Sequence, residues 1–176
     1  MNSFILRKIS HSHLPVLDNM LQLYAHELNE YFNYSISMNN DGRYRIKSAE
    51  KHLADGWGYF ILVSGEYAGF ILLNHNTITD DGTAVPEFFM LPRYRKGLFY
   101  RDVIASLLTT LDGIVEYSIL KKNMRALFLF DDLAKKFLSH VQRIEEHVDG
   151  SEFFRYIFDI ADLTCDIEKY KKYVHS

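Results

Sequence analysis

The chain has 176 residues, of which 48% are hydrophobic, and this predicts one domain, residues 1–176, with a substantial core. Its net charge of -3 gives no broad basic surface, so we expect no nucleic-acid partner. No apolar run approaches the roughly 20 residues of a membrane span. The single cysteine, Cys165, cannot form an internal disulfide. A cytoplasmic protein without a membrane partner is expected.

The first part of the chain predicts alternating strands and helices. Residues 4–9 are typical of a strand, and Ser12 with Pro15 is a helix-start signal. A weaker helix is predicted over 46–54. Residues 57–63 and 67–74 are almost continuously apolar and predict a central hairpin. Between the start signal and residue 32, apolar side chains recur at helical spacing: Leu17, Met20, Leu21, Tyr24, Leu28, Tyr31 and Phe32.

The stretch 84–111 is suited to binding a phosphate group. A short apolar strand ends at Pro92, a basic loop follows over 93–96, and Gly97 precedes a helix with apolar side chains at helical spacing. The first backbone N–H groups of a helix have no internal partner, and the helix dipole makes that end positive. Arginine and lysine add charged donors. A solvated basic turn over 93–96 is the alternative interpretation.

The last part of the chain predicts one more strand, one helix and a closing hairpin. Residues 114–120 form the strand, and Asn123 caps a helix with an apolar face. Residues 144–148 and 152–160 form the hairpin, with Asp149-Gly150 as its turn. Residues 161–176 are expected to be a helical tail that could cover a sheet edge or support a homodimer. The alternation of strands and helices places the chain in the α/β class.

The segment EFFMLPRYRKG, residues 87–97, resembles the signature of the GNAT superfamily of acyl-CoA-dependent N-acyltransferases. That family's loop usually reads Gln/Arg-x-x-Gly-x-Gly/Ala between its fourth strand and third helix. More narrowly, the segment is similar to a predicted-acetyltransferase branch with an EFF..P.YR.KG-type motif. HLPVLDNMLQLYAHELNEYF, GYFILVSGEYAGFILLN and KKNMRALFLF fall where the family places its first helix, central hairpin and pantetheine-side helix. The resemblance implies a single GNAT-like domain with a mixed, mainly antiparallel central sheet of about seven strands flanked by helices.

The resemblance also implies a reaction and a cofactor. It implies transfer of an acetyl group from acetyl-CoA to a primary amine of a small molecule or peptide, by direct attack in a ternary complex and without a metal. Contacts with coenzyme A are implied for Phe89, Met90, Leu91, Arg95, Lys96, Gly97, Leu98, Phe99, Asn123 and Phe130.

The chain departs from the family pattern at three positions. Tyr94 stands three residues before Gly97, Phe99 stands two residues after it, and Phe130 stands where a proton-donating tyrosine is common. These departures motivate an alternative, a GNAT-fold binding or regulatory module without catalysis. The high aromatic content, 15%, motivates another, an acyltransferase that uses a longer acyl donor.

Glu87 is the candidate general base, because a partly buried carboxylate just before the loop could take the proton of an ammonium group. An edge-strand carboxylate paired with a nearby arginine or lysine is the alternative. Tyr100 and Tyr117 are candidate substitutes for the proton donor, although either could be a core or rim tyrosine.

The acceptor amine is expected near the first predicted helix. Tyr24, Glu27 and Tyr31 lie on or beside one helical face, where Glu27 or Glu30 could attract a cationic amine. Ordinary core packing explains the aromatic residues equally well. The scattered histidines and the single cysteine match no metal-ligand spacing.

Overall fold

A mixed sheet forms the centre of the protein, with helices on both of its faces. The structure is a computed structural model that describes residues 4–32, 35–79, 81–95, 99–164 and 167–175. None of the helices described there is long and apolar enough to cross a membrane. The strands are β1 (Phe4–Lys8), β2 (Gly56–Val63), β3 (Glu66–Asn74), β4 (Thr83–Met90), β5 (Ile114–Leu120), β6 (Gln142–Val148), β7 (Ser151–Asp159) and β8 (Val174–His175). The α-helices are α1 (Leu14–Leu28), α2 (Ala49–Asp55), α3 (Phe99–Leu108) and α4 (Met124–Phe137).

The strand order across the sheet is β6-β7-β5-β4-β3-β2-β1-β8. Strands β1 to β4 pair antiparallel with their chain neighbours, and β7 pairs antiparallel with β5 and β6. Only β4 with β5 and β1 with β8 are parallel. The predicted mixed, mainly antiparallel sheet is therefore confirmed, with a two-residue strand added to the seven longer ones.

Strands β4 and β5 separate along their length, and this separation opens a gap in the sheet. They pair only at Thr83, Ala84 and Val85, whereas β4 stays paired with β3 as far as Met90. In an antiparallel ladder the N–H and C=O of one residue point to the same neighbouring strand, and successive residues alternate. Since the Leu91 N–H donates to the Ala68 carbonyl at 2.8 Å, the backbone groups of Phe88 and Met90 point toward β5.

Two apolar clusters lie on opposite faces of the sheet because successive strand residues alternate in direction. Phe60, Phe70, Leu72 and Phe89 pack beneath α1 and α2. Ile61, Ile71, Leu73 and Met90 pack on the other face beneath α3 and α4. This two-sided burial explains why β2 and β3 are almost continuously apolar.

Helix α1 is shorter than its sequence pattern predicts, because it ends at Leu28 rather than near residue 32. The side-chain oxygen of Asn29 accepts a hydrogen bond from the Ile36 N–H at 2.6 Å, which favours a turn over helix continuation. Residues 30–32 follow in turns, so Tyr31 reaches the cavity described below from a turn rather than from a helical face.

The C-terminal segment differs from the predicted helical tail. Its described residues form 3-10 helices at Ile160–Asp162 and Glu168–Tyr173, and the chain then extends as β8 beside β1. The Tyr173 ring stacks on Phe4, with ring centroids 4.4 Å apart. Extended pairing and ring stacking at the edge of the sheet explain why a continuous α-helix does not form, and the tail covers the outer edge of β1.

Replacing Gly69 with Ala is expected to lower the free energy of unfolding by about 1–3 kcal/mol. Gly69 on β3 faces Met90 on β4, and an added Cβ would lie 2.1 Å from the Phe89 carbonyl oxygen. That oxygen belongs to backbone that is fixed in the ladder, so a strand must move to relieve the contact. Urea denaturation measures the effect; an unchanged unfolding midpoint would contradict this close approach of the two strands.

Candidate active site

The gap between β4 and β5 opens into a cavity of about 320 Å³. Its walls are the end of α1 with the turns that follow, the separating parts of β4 and β5, the start of α3 and the first turns of α4. Most wall residues are apolar or aromatic, and a few polar side chains converge among them. Such a concave apolar site with a small number of polar groups is typical of a binding site for a small molecule.

Glu87 lies on the cavity wall at the point where β4 leaves β5. Burial raises the pKa of its carboxyl group to about 7, although a hydrogen bond from Tyr24 and the charge of Lys47 act in the opposite direction. In the described part of the chain Glu87 makes no ion pair, and Lys47 is paired with Asp55 at 2.6 Å. A carboxyl group with a pKa near neutrality exchanges protons readily, which is the property required of a general base.

Tyr24 holds the Glu87 carboxyl group from the α1 side. Its ring packs against Phe70 and Phe89, with centroid distances of 5.8 Å and 5.7 Å. Burial, followed by the negative charge of Glu87, raises the pKa of the Tyr24 hydroxyl well above its usual value. The hydroxyl therefore stays protonated at neutral pH and donates to the carboxylate.

Tyr100 and Tyr117 bring a second pair of hydroxyl groups to the same cavity. Their oxygen atoms are 3.1 Å apart, and both residues are buried. Burial raises the pKa of Tyr100 to about 12, although the hydrogen bond with Tyr117 acts to lower it. The pKa of Tyr117 is also raised, first by burial and then by its Tyr100 neighbour. Both hydroxyls are proton donors at neutral pH.

The two sets of polar groups come from opposite faces of the sheet. Glu87 shares the α1 face with Phe89, whereas Tyr100 belongs to the cluster beneath α3 and α4. A continuous sheet would separate them. Because β4 and β5 diverge, one cavity is lined by the carboxyl group and by both tyrosines.

Arg95 crosses the cavity to reach α1. Its guanidinium forms a two-pronged ion pair with Glu27, with 2.7 Å between Nη1 and Oε1. Its Nε donates to the Met90 carbonyl oxygen, and Arg125 donates to the Arg95 carbonyl at 3.0 Å. The structure thus pairs Glu27 with an internal cation, whereas the sequence suggested a carboxylate free to attract an amine.

The predicted backbone partners of coenzyme A at residues 89–91 are only partly available at the gap. The N–H and C=O groups of Phe89 and the N–H of Leu91 point toward β3, because the ladder alternates, whereas the Leu91 C=O accepts a hydrogen bond from the Tyr94 N–H at 2.9 Å. The N–H and C=O groups of Met90 point toward the gap, and so do those of Phe88. The sequence did not identify Phe88 as a contact, because the direction of its backbone groups depends on the register of β4 with β3. The remaining predicted contacts in the loop, Lys96, Gly97 and Leu98, lie outside the described residues.

Asn123 caps α4 as its position in the sequence predicts. Its Oδ1 accepts a hydrogen bond from the Ala126 N–H at 3.1 Å, and its side chain also lies on the cavity wall. Capping uses the oxygen atom, so the amide nitrogen keeps its capacity to donate a hydrogen bond.

Phe130 is not on the cavity wall, although the resemblance implies a contact with the cofactor. Its side chain is 2% exposed and stacks on Tyr117, with centroids 5.2 Å apart. The Tyr156 ring covers it from another direction at 4.3 Å. Phe130 therefore supports the Tyr117 ring from within the core.

Arg93 and Tyr94 form an exposed cluster with the β2–β3 hairpin. Arg93 pairs with Glu66, the Tyr94 hydroxyl donates to Glu66 at 2.9 Å, and the guanidinium lies 4.5 Å from the centre of the Tyr94 ring. Arg93 therefore lies in a solvated basic turn, which was the alternative to a phosphate-binding loop.

Phe99 packs into the core at the start of α3. Its ring meets Phe4 edge-on, with centroids 5.1 Å apart, and lies outside the cavity lining. Replacing Phe99 with Ala is expected to lower the free energy of unfolding by about 2 kcal/mol, because buried ring surface is lost. It is not expected to tighten acetyl-CoA binding, which calorimetry measures beside urea denaturation.

The matched control is Phe128→Ala on α4, where the ring is 74% exposed. It should leave stability nearly unchanged. Tighter acetyl-CoA binding by the Phe99 variant would contradict the observed packing, since it would mean that the ring obstructs the cofactor.

Glu116 is a buried carboxylate that sequence analysis did not single out. It is 1% exposed and accepts hydrogen bonds from the Ile78 and Thr79 N–H groups, the Thr79 hydroxyl and Arg155. The signal in the sequence was a glutamate inside the apolar strand IVEYSIL. The arrangement fixes the loop before β4 to β5 and leaves no free carboxylate oxygen for chemistry.

No family model and no curated protein sequence matches the chain. Solved structures with the same fold include the spermidine N-acetyltransferase from Vibrio cholerae in complex with CoA and spermine. That match has a TM-score of 0.61 and 14% identity, and covers 91% of this chain and 97% of the other. A second is BjaI, a CoA-dependent acyl-homoserine lactone synthase, with a TM-score of 0.66, 12% identity, and coverage of 98% and 93%. At these identities the similarity shows the fold, which is the GNAT fold that the sequence predicts.

Proposed function

We propose that this protein is an N-acetyltransferase that transfers an acetyl group from acetyl-CoA to a primary amine of a small molecule or peptide. The observation that carries the proposal is Glu87, a carboxyl group with a pKa of about 7 on the wall of the gap between β4 and β5. The GNAT fold supports it, because one comparison protein is an N-acetyltransferase solved in complex with CoA and the other is described as CoA-dependent. The narrower likeness to the EFF..P.YR.KG branch remains a prediction, as do a cytoplasmic location and a homodimer.

In the proposed reaction, Glu87 acts first as the general base. Its carboxylate accepts a proton from the ammonium form of the acceptor, directly or through one water, and so frees the nitrogen lone pair. The nitrogen then forms a bond with the thioester carbonyl carbon, and the bond from that carbon to sulfur breaks. Tyr24 holds the carboxyl group during this transfer.

The departing thiolate needs a proton, and we propose that the Tyr100–Tyr117 pair supplies it and takes up in turn the second proton that the nitrogen loses as it becomes an amide. Both hydroxyls are protonated at neutral pH and face the same cavity as Glu87. This assignment replaces the tyrosine that is common in the family at the position of Phe130.

Acetyl-CoA fits the donor groups that line the gap. The Met90 and Phe88 backbone can pair with an extended amide-bearing arm as an added strand would, and the Asn123 amide nitrogen can donate to it. Because the Arg95 Nε already donates to the Met90 carbonyl, the arm would pair with the Met90 N–H and with the Phe88 groups.

A second candidate function is transfer of an acyl group longer than acetyl. Aromatic walls around a cavity of about 320 Å³ favour it, and BjaI was also solved with isopentyl-CoA. Thiol-release rates with acetyl-CoA and hexanoyl-CoA at equal concentrations separate the two candidates, since the natural donor class should give the larger kcat/KM.

The proposal is tested by calorimetric titration of the protein with acetyl-CoA and with free coenzyme A, followed by thiol release in the presence of an amine panel. One-to-one binding with a Kd on the order of micromolar, followed by amine-dependent thiol release, is the expected result. No detectable heat with either compound would contradict the proposal and favour a binding module without catalysis. Binding without turnover of any amine would place the failure in catalysis.

A further inference from the structure

The ion pair between Arg95 and Glu27 lies on the wall of the cavity that is proposed to receive the acceptor. Glu27 comes from the last turn of α1, and Arg95 comes from the loop after β4. We propose that this pair selects an acceptor with one ammonium group on an apolar body and discriminates against diamines and polyamines. The inference rests on the proposed acetyltransferase function of the same cavity and adds the class of amine.

Several contacts hold the pair in place. The two terminal guanidinium nitrogens of Arg95, Nη1 and Nη2, donate to Glu27, and its Nε donates to the Met90 carbonyl. The guanidinium lies 5.5 Å from the centre of the Phe89 ring. The side chains are 16% exposed for Arg95 and 28% for Glu27, so water screens the pair only in part. A two-pronged pair of this kind has a fixed geometry and is not easily exchanged for another cation.

The charge of Glu27 is therefore already neutralised before an acceptor enters. Among the described residues of the wall, the charged side chains are Glu27, Glu87, Arg95 and Arg125. Glu27 is neutralised by Arg95, and Glu87 is the group that receives the proton in the proposed reaction. A second ammonium group that approached Glu27 would also approach Arg95, so attraction and repulsion would largely cancel. Arg125 adds a further positive charge.

The rest of the wall suits an apolar body. Leu28, Tyr31, Phe32 and Phe88 line the cavity around the acidic and basic groups. An alkyl or aromatic group removed from water against these side chains is stabilised by burial, whereas a distal ammonium would lose hydration without a free carboxylate to replace it. The contrast is with the fold relative solved with spermine, a polyamine.

The test compares hexylamine with hexamethylenediamine, which differ by one ammonium group. The wild-type protein, saturated with acetyl-CoA, should show a kcat/KM for hexylamine at least about tenfold above that for the diamine. Arg95→Gln unpairs Glu27 and should shift the diamine-to-monoamine ratio of kcat/KM by about tenfold toward the diamine. An effect of the variant on acetyl-CoA binding is the same for both amines, so it cancels when the two kcat/KM values are compared as a ratio.

Arg93→Gln is the matched control, because it removes the same charge two residues earlier from an exposed pair outside the cavity. It should keep the wild-type ratio. Wild-type preference for the diamine, or equal ratios in wild type and Arg95→Gln, would overturn the inference.

A calorimetric version with free coenzyme A in place of acetyl-CoA measures amine binding without chemistry. Binding of hexylamine that is tighter than binding of hexamethylenediamine, with this difference lost in Arg95→Gln, would support the inference even if turnover were absent. In that case only the proposed function would fail. Binding of the diamine as tight as that of hexylamine would overturn the inference even in an active enzyme.

Discussion

Replacing Glu87 with Gln is expected to lower kcat/KM for acetyl transfer by about 100-fold or more, the usual contribution of a general base. Glutamine keeps the size of the side chain but cannot accept the proton of an ammonium group. Acetyl-CoA binding should persist, because the proposed contacts with the cofactor come from β4 backbone and the loop that follows. Thiol release measures the rate, and calorimetry measures the binding.

The pH dependence of kcat/KM in the wild-type protein is an independent test of the role of Glu87. Since the carboxylate is the active form and its pKa is about 7, kcat/KM should rise with pH through about 7 and then level off. The inflection should be absent from the residual activity of Glu87→Gln. Turnover by the variant at the wild-type rate, with an unchanged profile, would remove Glu87 from the mechanism.

Loss of activity in Glu87→Gln should not result from unfolding. Burial raises the pKa of Glu87 from 4.5 to about 7, so between these pH values the folded state keeps a proton that the unfolded state releases. Stability contributed by this group therefore falls as the pH rises through that window. A neutral glutamine removes this loss, and urea denaturation at pH 8 should find the variant at least as stable as the wild type.

Replacing Glu116 with Ala is expected to lower the free energy of unfolding by about 3–5 kcal/mol, the range for breaking a buried ion pair. The substitution leaves the Thr79 and Ile78 N–H groups without their acceptor and removes a carboxylate that lies 2.6 Å from Arg155. Arg155 keeps Glu146 as a partner at 2.9 Å, which favours the lower end of the range. Urea denaturation at neutral pH measures the difference.

The contribution of Glu116 to the free energy of unfolding depends on pH with the opposite sign to that of Glu87. Burial raises the pKa of Glu116, but the hydrogen bonds from Thr79, Ile78 and Arg155 outweigh burial, and its pKa lies below the usual value. The stabilisation is thus present above the usual glutamate pKa and is lost as the pH falls through the lowered one. Glu66→Ala, which breaks an exposed pair, is the control and should leave the midpoint nearly unchanged. Equal effects of the two substitutions would contradict the structural role of Glu116.

Features set by local sequence were predicted well. The strand 114–120 has the predicted bounds, because apolar residues run between a glycine turn and a cap. Asn123 caps α4 through the local side-chain hydrogen bond that its residue type favours. Asp149 and Gly150 have φ values of 48° and 77°, the backbone that a two-residue hairpin turn needs.

Features set by long-range pairing were not predicted from the sequence. The pairing of Arg95 with Glu27 joins residues on different elements, and nothing in either local pattern indicates it. The direction of the Met90 backbone depends on register with β3, which the strand's own sequence does not determine. Tyr100 and Tyr117 were candidates as single residues, but their 3.1 Å contact depends on how α3 packs over the sheet.

The position of β8 beside β1 has a consequence for the order of folding. Leu6 pairs with Val174 and Arg7 with His175, so strands β2 to β7 are all synthesised before the outer edge of β1 can be covered. Contacts between such distant parts of a chain form late and slow the search for the native state. Until then an apolar strand edge is open to other chains. Yield on refolding should therefore depend on protein concentration more strongly when residues 174–176 are removed.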